Sequence, residues 1–272
     1  MINRKLVHNS EEKISKAQIE FVKAHKKREK KITIYQILIL VIFIAAWEVL
    51  ADFNIINAFS FSSPSRIIKT FIDMVEGGVI FYHIGITLLE TFVSFFLVIA
   101  IGMLIAILLW WNHSIAKILD PYLVVLNSLP KSALAPLFIV WLGNNMKTII
   151  VAAVSVAVFG TILNLYTDFK EVEEDKVKLI RTLGGNKKDI LLKVVIPSNI
   201  PSIISIMKVN IGLSLVGVII GEFLAARAGL GYLIIYGSQV FKLDWVMMSI
   251  VILCIIATGL YGILAMVEKR FR

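Results

Sequence analysis

The sequence predicts an all-α membrane protein with six transmembrane helices and both termini in the cytosol. Of its 272 residues, 58% are hydrophobic and 17% are charged, and the mean hydropathy is +0.85. Soluble globular domains carry about 25% charged residues. Several apolar runs reach about 18 residues, the length that crosses the hydrocarbon core of a bilayer. Basic residues cluster beside these runs, and this clustering predicts the orientation of the spans.

The N-terminal segment, residues 1–31, holds ten of the 28 lysines and arginines, so we expect a basic cytosolic arm. Its apolar residues keep rough helical spacing. Two alternatives therefore stay open for the arm: a solvated segment, or a helix that lies on the membrane or on a partner. The first span is predicted at Ile34–Ala51 and runs outward from this basic start.

Residues 32–82 are predicted to contain this first span and a segment at the outer interface. Ser62-Ser63-Pro64-Ser65 is a typical helix start, with the proline near the first helical position. An apolar stripe follows it and ends at Gly77-Gly78. We therefore expect a short amphipathic helix at the outer surface, and we assign residues 83–272 to the main transmembrane domain.

The main domain is predicted to cross the membrane five more times. The predicted spans are Thr87–Trp111, Ile118–Leu142, Thr148–Tyr166, Ile200–Phe223 and Trp245–Val267. The third span contains Pro121, Pro130 and Pro136, each of which removes a helical hydrogen bond. Because irregular backbone in lipid must be covered by protein or water, we expect this span to be broken and to face the protein interior.

The long polar loop at residues 167–199 holds seven further basic residues, which place it in the cytosol. It is predicted to contain a glycine bend at Gly184 and a short amphipathic helix at Lys187–Val195. The residues predicted to start and stop this helix are Asn186, Asp189 and Pro197. Its apolar side comprises Ile190, Leu191, Val194 and Val195. Such a helix fits either a groove on a cytosolic partner or the lipid surface, and the residues alone leave both open.

No catalytic or metal-binding pattern is present in the sequence. It lacks a phosphate-binding GxxxxGK[ST] loop, a GxSxG nucleophile motif and an HExxH zinc motif. Its four histidines have no metal-ligand spacing, and its one cysteine, Cys254, allows no internal disulfide. The basic residues follow the membrane spans, as the positive-inside rule requires. We therefore expect no metal site, no nucleic-acid partner and no enzymatic activity.

Three stretches resemble the permease subunits of binding-protein-dependent ABC importers. One stretch consists of Gly184, nine intervening residues and then Val194-Val195-Ile196-Pro197. It is similar to the cytosolic loop signature of that family. The family signature begins with Glu-Ala-Ala, whereas this chain has Lys178-Leu179-Ile180. Ser128–Gly143 and Gly221–Ile234 resemble hallmarks of the branch that carries nitrate, taurine and alkanesulfonates.

The resemblance covers roughly residues 82–270 and implies the transmembrane domain of a type I ABC importer. It implies a second permease subunit, which we expect to be an identical copy. Two cytosolic ATPase subunits would bind ATP and Mg²⁺, so this chain would bind no cofactor itself. An extracellular or periplasmic binding protein would deliver the solute, a small anion such as a sulfonate, taurine or nitrate, or a vitamin precursor. The expected location is the lipid bilayer of a bacterial cell membrane.

The resemblance also implies roles for individual residues. The loop would transmit ATPase closure to the spans. The expected coupling residues are Leu179, Ile180, Arg181, Gly184, Gly185, Asn186, Asp189, Ile190, Leu191, Val194 and Pro197. The expected solute pathway and gate comprise Pro130, Lys131, Ser132, Pro136, Glu222, Gly229 and Gly231. Alternatively, Lys131 pairs with Glu222 or Glu90, and the two glycines only form a turn.

Two other classes of protein remain open. A stand-alone secondary carrier would show an internal repeat with interrupted spans in both halves, and only one span is strongly broken here. A membrane-embedded enzyme would need paired ionisable groups at matching depth in neighbouring spans, and the sequence offers scattered single ones. Neither class would need ATPase partners.

Overall fold

The computed structural model describes residues 16–53 and 55–271, and all regular secondary structure in these ranges is helical. The chain divides into two compact units, Met1–Ser65 and Arg66–Arg272. The all-α fold class predicted from composition and hydropathy is thereby confirmed for the described part of the chain.

The first unit is dominated by one long helix, α1 (Lys16–Asp52). Helix α1 continues without interruption from the predicted basic arm at residues 1–31 into the predicted span at Ile34–Ala51. No glycine or proline lies within α1 to interrupt the helix. Its part from Lys23 to Asp52 is long and apolar enough to cross a membrane. Residues 1–15 of the predicted arm lie outside the described residues.

The end of α1 is linked to the start of a later helix. After the short helix α2 (Ala58–Phe61), helix α3 (Pro64–Glu76) begins at the proline that marks a helix start in the sequence. The Ser65 backbone N–H donates to Glu48 Oε2 of α1 at 2.9 Å. This bond satisfies one of the donors that the first turn of a helix leaves free.

The second unit contains the other four long apolar helices, and each of them includes a predicted span. In chain order its helices are α4 (Ile80–Trp111), α5 (His113–Ser128), α6 (Lys131–Leu142), α7 (Met146–Lys170), α8 (Glu174–Thr182), α9 (Lys187–Ile190), a π-helical turn (Leu191–Val195), α10 (Ile196–Ser198), α11 (Ile200–Ala225), α12 (Leu230–Gln239) and α13 (Leu243–Phe271). Asparagine side chains begin two of them, because Asn112 accepts from backbone N–H groups of α5 and Asn145 from those of α7.

The third predicted span consists of two helices. Helices α5 and α6 meet at a bend of 94°, with Pro130 immediately before α6. Leu129 has the extended backbone that a following proline favours. The predicted break of this span thus lies at Pro130, whereas Pro121 and Pro136 lie inside the two helices. The described residues thus contain five helices that could span a membrane, or six if the bent pair counts as one span.

Helix α7 lies at the centre of the second unit and packs against both α4 and α11. The contact with α11 is close: a Cβ added at Gly217 would lie 2.6 Å from the Cα of Ala153. Only glycine at that position allows the two backbones to approach so closely. Ile149 of α7 and Val218 of α11 are buried in the same contact. These three helices form the frame that positions the polar residues described next.

Candidate functional site

A polar cavity lies between α5, α7 and α11. Its volume is about 280 Å³. Its polar lining is uncharged and consists of Asn127, Thr161, Asn164, Ser205 and Asn210. We call it the amide cavity. Asn210 is buried, and its Nδ2 has no hydrogen-bond partner among the described residues. A buried amide without a partner is costly, and the Asn210 side chain lies in the wall of the cavity.

The amide residues are not among those that the sequence motifs indicate. These residues come from three different helices, so no spacing along the sequence predicts that they lie close together. The signal present in the sequence is the occurrence of Asn164 and Asn210 inside apolar helices, where a side chain that forms hydrogen bonds must find a partner. Of the three amide side chains, Asn210 is buried, whereas Asn127 and Asn164 are exposed.

One of the predicted pathway residues at the bend between α5 and α6, Lys131, bonds to a residue that lines this cavity. Lys131 is partly buried, and its Nζ donates to the backbone carbonyl of Asn127. The ammonium group therefore satisfies one of the carbonyls that the end of α5 leaves free. Pro130 precedes the first residue of α6, and Ser132 and Pro136 are exposed. Of this group, Lys131 is the residue with a direct bond to a cavity-lining residue.

Glu222 is buried and holds the N-terminus of α12. Its carboxylate accepts a hydrogen bond from Thr87 Oγ1 at 2.7 Å and another from the Gly231 N–H at 2.5 Å. Thr87 Oγ1 accepts the Leu230 N–H at 2.8 Å. Side chains of α4 and α11 thus satisfy the free donors of the first turn of α12. Glu222, a predicted pathway residue, is thus part of a buried contact, and no ion pair joins it to Lys131 among the described residues.

Gly229 and Gly231 make room for the Glu222 carboxylate. Gly229 has φ +116°, and a Cβ added there would lie 2.3 Å from Glu222 Cδ. A Cβ added at Gly231 would lie 2.8 Å from Glu222 Oε2. The Gly229 N–H also donates to His83 Nδ1 at 3.0 Å. The two glycines therefore form a close-packed turn whose backbone is held by side chains from two other helices.

A second carboxyl group, that of Glu90, is also buried in the second unit. Glu90 is 1% exposed, and its Oε2 has no partner among the described residues. It lines a cavity of about 210 Å³ together with Asn144, Asn145 and Arg227. Within the described ranges, no group of three His, Cys, Asp or Glu residues could hold a metal ion.

The 167–199 loop contains two helical segments joined by a glycine bend. Helix α8 is followed by Gly184, which has φ +80°. The Gly184 N–H bonds to the Arg181 carbonyl at 3.0 Å, and the Gly185 N–H bonds to the Ile180 carbonyl at 2.9 Å. This is the Schellman arrangement, in which a glycine with a left-handed backbone closes a helix. The structure thus contains the predicted bend at this glycine pair.

Asn186 and Asp189 begin the second helical segment. Asn186 Oδ1 accepts the Asp189 N–H and Asp189 Oδ2 accepts the Asn186 N–H, each at 3.0 Å, which forms a capping box. Hydrogen bonds from Lys193 and from the Asn186 backbone lower the pKa of Asp189 below its usual value. Helical structure continues through Pro197 and ends at Ser198, and the next helix begins at Ile200 just before Pro201.

The apolar face of this second segment is buried inside the chain, a packing that the two alternatives drawn from the sequence, a partner groove and the lipid surface, did not include. Ile190, Leu191 and Val194 are all buried. Ile190 and Leu191 pack in one cluster whose other members are Ala106, Leu165, Phe169 and Val195. This packing removes apolar surface from water without any second molecule. The segment therefore anchors the loop to α4 and α7.

Two exposed apolar side chains of the loop lie at the end of α8. Leu179 is 59% exposed and Leu183 is 74% exposed. They are four residues apart and so share one face of a helical turn. Ile180 beside them is half-buried, and Arg181 is exposed. Leu179 and Leu183, which we call the α8 patch, are therefore the apolar side chains that this helix offers to another molecule.

Comparisons with known proteins agree with this helical arrangement. Residues 98–272 match the family described as binding-protein-dependent transport system inner membrane component. The chain is 29% identical over 200 residues to the formylaminopyrimidine transport permease protein ThiX of Halalkalibacterium halodurans, over 74% of this chain and 78% of that protein. It is 27% identical over 206 residues to the nitrate import permease protein NrtB of Synechococcus elongatus, over 72% of this chain and 73% of that one.

The fold is also similar to that of solved structures. An inward-facing structure of the MetNI methionine ABC transporter superposes with a TM-score of 0.62 at 19% identity. The match covers 69% of this chain and 93% of that chain. At this level of identity, the likeness shows a shared fold.

Proposed function

This chain belongs to the family of binding-protein-dependent transport system inner membrane components, and on that premise we propose that its amide cavity forms part of the path of a small solute across the membrane. The chain is a multi-pass membrane protein and a subunit of an ABC importer, and it is not itself an enzyme. The resemblance to permeases of this branch, identified from the sequence motifs, is confirmed.

The amide cavity is the observation that carries the proposal. It places polar groups between helices that are otherwise apolar, and the Asn210 amide in it has no partner among the described residues. Amide groups donate and accept hydrogen bonds without carrying a charge. A solute path must bind its solute firmly enough for entry and weakly enough for release. A lining of neutral amides satisfies both conditions better than a buried fixed charge.

We propose that the solute is small and polar and is recognised mainly through hydrogen bonds. The relatives named for formylaminopyrimidine and for nitrate both suit this chemistry, since each solute offers several acceptors for amide N–H groups. An anionic solute would also meet the Lys131 ammonium group, which bonds to the carbonyl of the cavity residue Asn127. The proposal therefore includes nitrate-like and sulfonate-like anions and precursors of vitamins.

We propose further that the 167–199 loop and both termini lie in the cytosol of a bacterial cell and that the α8 patch docks on an ATPase subunit. The ATPase would hold ATP and Mg²⁺. Its movement would act on α8 and pass through the buried cluster around Ile190 to α4 and α7. A second copy of this chain would complete the pore, and a solute-binding protein would deliver the solute at the opposite surface.

The test is ATP-dependent uptake into proteoliposomes that contain the chain, its ATPase and its binding protein, with labelled nitrate and labelled formylaminopyrimidine as probes. Asn210→Ala removes one hydrogen bond to the solute and is expected to raise the half-saturating concentration about two- to tenfold. Ser214→Ala is the matched control. Ser214 is buried on the same helix, has no partner among the described residues and does not line the cavity.

Three results decide the matter. The proposal predicts uptake of at least one probe by the wild type, a higher half-saturating concentration for Asn210→Ala, and no change for Ser214→Ala. Equal effects of the two substitutions would assign Asn210 to packing and would remove the amide cavity from the path. Uptake of neither probe would overturn the proposed class of solute.

A further inference from the structure

A basic cleft with a volume of about 430 Å³ lies where the ends of α4 and α7 meet the 167–199 loop. Its charged lining consists of four cationic side chains and one anionic side chain, namely Lys170, Lys178, Arg181, Lys187 and Glu174. The solute path described above does not use this cleft, and the two cavities share no lining residue. The cleft is therefore a separate site whose excess of positive charge requires an explanation.

The positive charge of the cleft is only partly compensated within the chain. Lys178 lies 3.3 Å from Glu174 and 3.5 Å from Asp175. Lys170 and Arg181 form no ion pair with any residue that the structure describes. Cations gathered around one cleft repel each other, and an anion between them offsets this repulsion. The charge pattern thus indicates an anionic ligand.

The floor of the cleft is apolar. Phe169 and Val195 are fully buried beneath it, and Trp110 at the end of α4 lines one wall. The Lys187 ammonium group lies 5.6 Å from the centroid of the Trp110 ring and 5.7 Å from that of Trp111. Tryptophan at the end of a membrane span is typical of the membrane–water interface. An apolar floor under a cationic rim at that level suits a charged head group with a hydrocarbon chain better than a soluble ion.

We propose that this cleft binds the phosphate group of an anionic phospholipid. Basic pockets between transmembrane helices are known to take such head groups. Lys170 comes from α7, Arg181 from α8 and Lys187 from α9, so one phosphate among them would connect both parts of the loop to a membrane span. Glu174, Lys178 and Arg181 share one face of α8, and Leu179 and Leu183 lie on the opposite face. The lipid site therefore leaves the α8 patch free.

This inference does not depend on which solute the chain carries, nor on the docking of an ATPase. It concerns the permease chain alone, and its test needs neither transport nor hydrolysis. Failure of the uptake experiment would leave it standing, and its own failure would leave the amide cavity unaffected.

The test measures binding of fluorescent phosphatidylglycerol to the full-length chain in a neutral detergent, with phosphatidylcholine as the uncharged comparison. Lys170→Gln/Lys187→Gln removes two cleft cations and is expected to weaken phosphatidylglycerol binding about fivefold per lysine, or about twenty-fivefold together. Lys176→Gln/Lys188→Gln is the matched control, since it removes two lysines of α8 and α9 that do not line the cleft. Lys170→Arg/Lys187→Arg retains the charge and is expected to retain binding.

The outcomes distinguish binding of a phospholipid from binding of soluble inorganic phosphate. Equal binding of both lipids by the wild type, or equal loss in the cleft and control variants, would overturn the proposal. Millimolar inorganic phosphate is expected to compete poorly, because it gains nothing from the apolar floor. If inorganic phosphate displaced the lipid fully, and did so only when Lys170 and Lys187 were present, the cleft would be a site for soluble phosphate and the lipid assignment would be wrong.

Discussion

Replacement of Gly229 by alanine tests the contact between α11 and the start of α12. Gly229 has φ +116° and ψ 167°, a backbone conformation that residues with a side chain adopt at a cost of about 1–3 kcal/mol. The added Cβ would lie 2.3 Å from Glu222 Cδ, and overpacking of this kind costs about 1–3 kcal/mol. The two effects together amount to about 2–6 kcal/mol.

The assay is thermal unfolding of the purified chain in detergent, followed by tryptophan fluorescence. At about 2–4 °C per kcal/mol for a chain of this size, Gly229→Ala is expected to lower the Tm by about 4–24 °C. Gly78→Ala is the matched control. Gly78 also has a positive φ, +69°, but a Cβ added there would meet no atom within 4 Å. The control measures the effect of backbone strain alone. This strain costs about 1–2 kcal/mol, so Gly78→Ala is expected to lower the Tm by a few degrees.

The effect of the contact with Glu222 can be isolated in a variant that lacks the Glu222 carboxyl group. In a chain that already carries Glu222→Ala, the atoms that collide with the new Cβ are gone, so Gly229→Ala is expected to cost only the backbone strain. The two substitutions should therefore be non-additive. If Gly229→Ala lowered the Tm no more than Gly78→Ala, or if its effect were the same with and without Glu222, the buried contact at the start of α12 would be refuted.

Three further predictions concern the 167–199 loop. Leu179→Asp/Leu183→Asp is expected to abolish co-purification with the ATPase subunit. Leu192→Asp, at an exposed leucine of the π-helical turn, should retain it. Equal loss of co-purification in both variants would contradict docking at the α8 patch. Ile190→Ala is expected to destabilise the purified chain by about 2–5 kcal/mol through a cavity in the buried cluster, and Leu192→Ala by clearly less; similar Tm values for both would show that Ile190 is not buried in this cluster. Lys193 and the Asn186 backbone lower the pKa of Asp189. The capping box is therefore expected to be complete at pH values above the usual aspartate pKa and to be lost only as the pH falls through the lowered pKa. An NMR titration of the Asp189 carboxyl carbon with a midpoint at or above 3.8 would contradict this.

Hydropathy and local capping rules predict much of the fold from the sequence. Four predicted spans lie inside the long helices α4, α7, α11 and α13, because about 20 apolar residues in lipid have no alternative to a helix. The glycine bend at Gly184 and the capping box at Asn186 depend on residues close in sequence, so they are also readable from it. These features are local, and their physical causes are visible in the order of the residues.

Features that depend on distant contacts are not predictable in the same way. The apolar face of Ile190 and Leu191 could pack on a partner, on lipid or on the chain itself, and only the fold shows that it packs on α4 and α7. The three prolines of the third span are equivalent in the sequence, yet only Pro130 lies at a break between helices. The convergence of Asn127, Asn164 and Asn210 depends on how α5, α7 and α11 pack together.

The most direct test of the central claim is the chemical accessibility of position 210. In a chain with Cys254→Ser, which removes the only native cysteine, a cysteine is introduced by Asn210→Cys or, for comparison, by Ser214→Cys. Both chains, in proteoliposomes, are treated with a small, charged, membrane-impermeant thiol reagent. If the amide cavity lies on a polar path across the membrane, position 210 is expected to react at least tenfold faster than the buried position 214. Equal, slow reaction at both positions would show that the cavity is closed to water-soluble molecules and would contradict its role in transport.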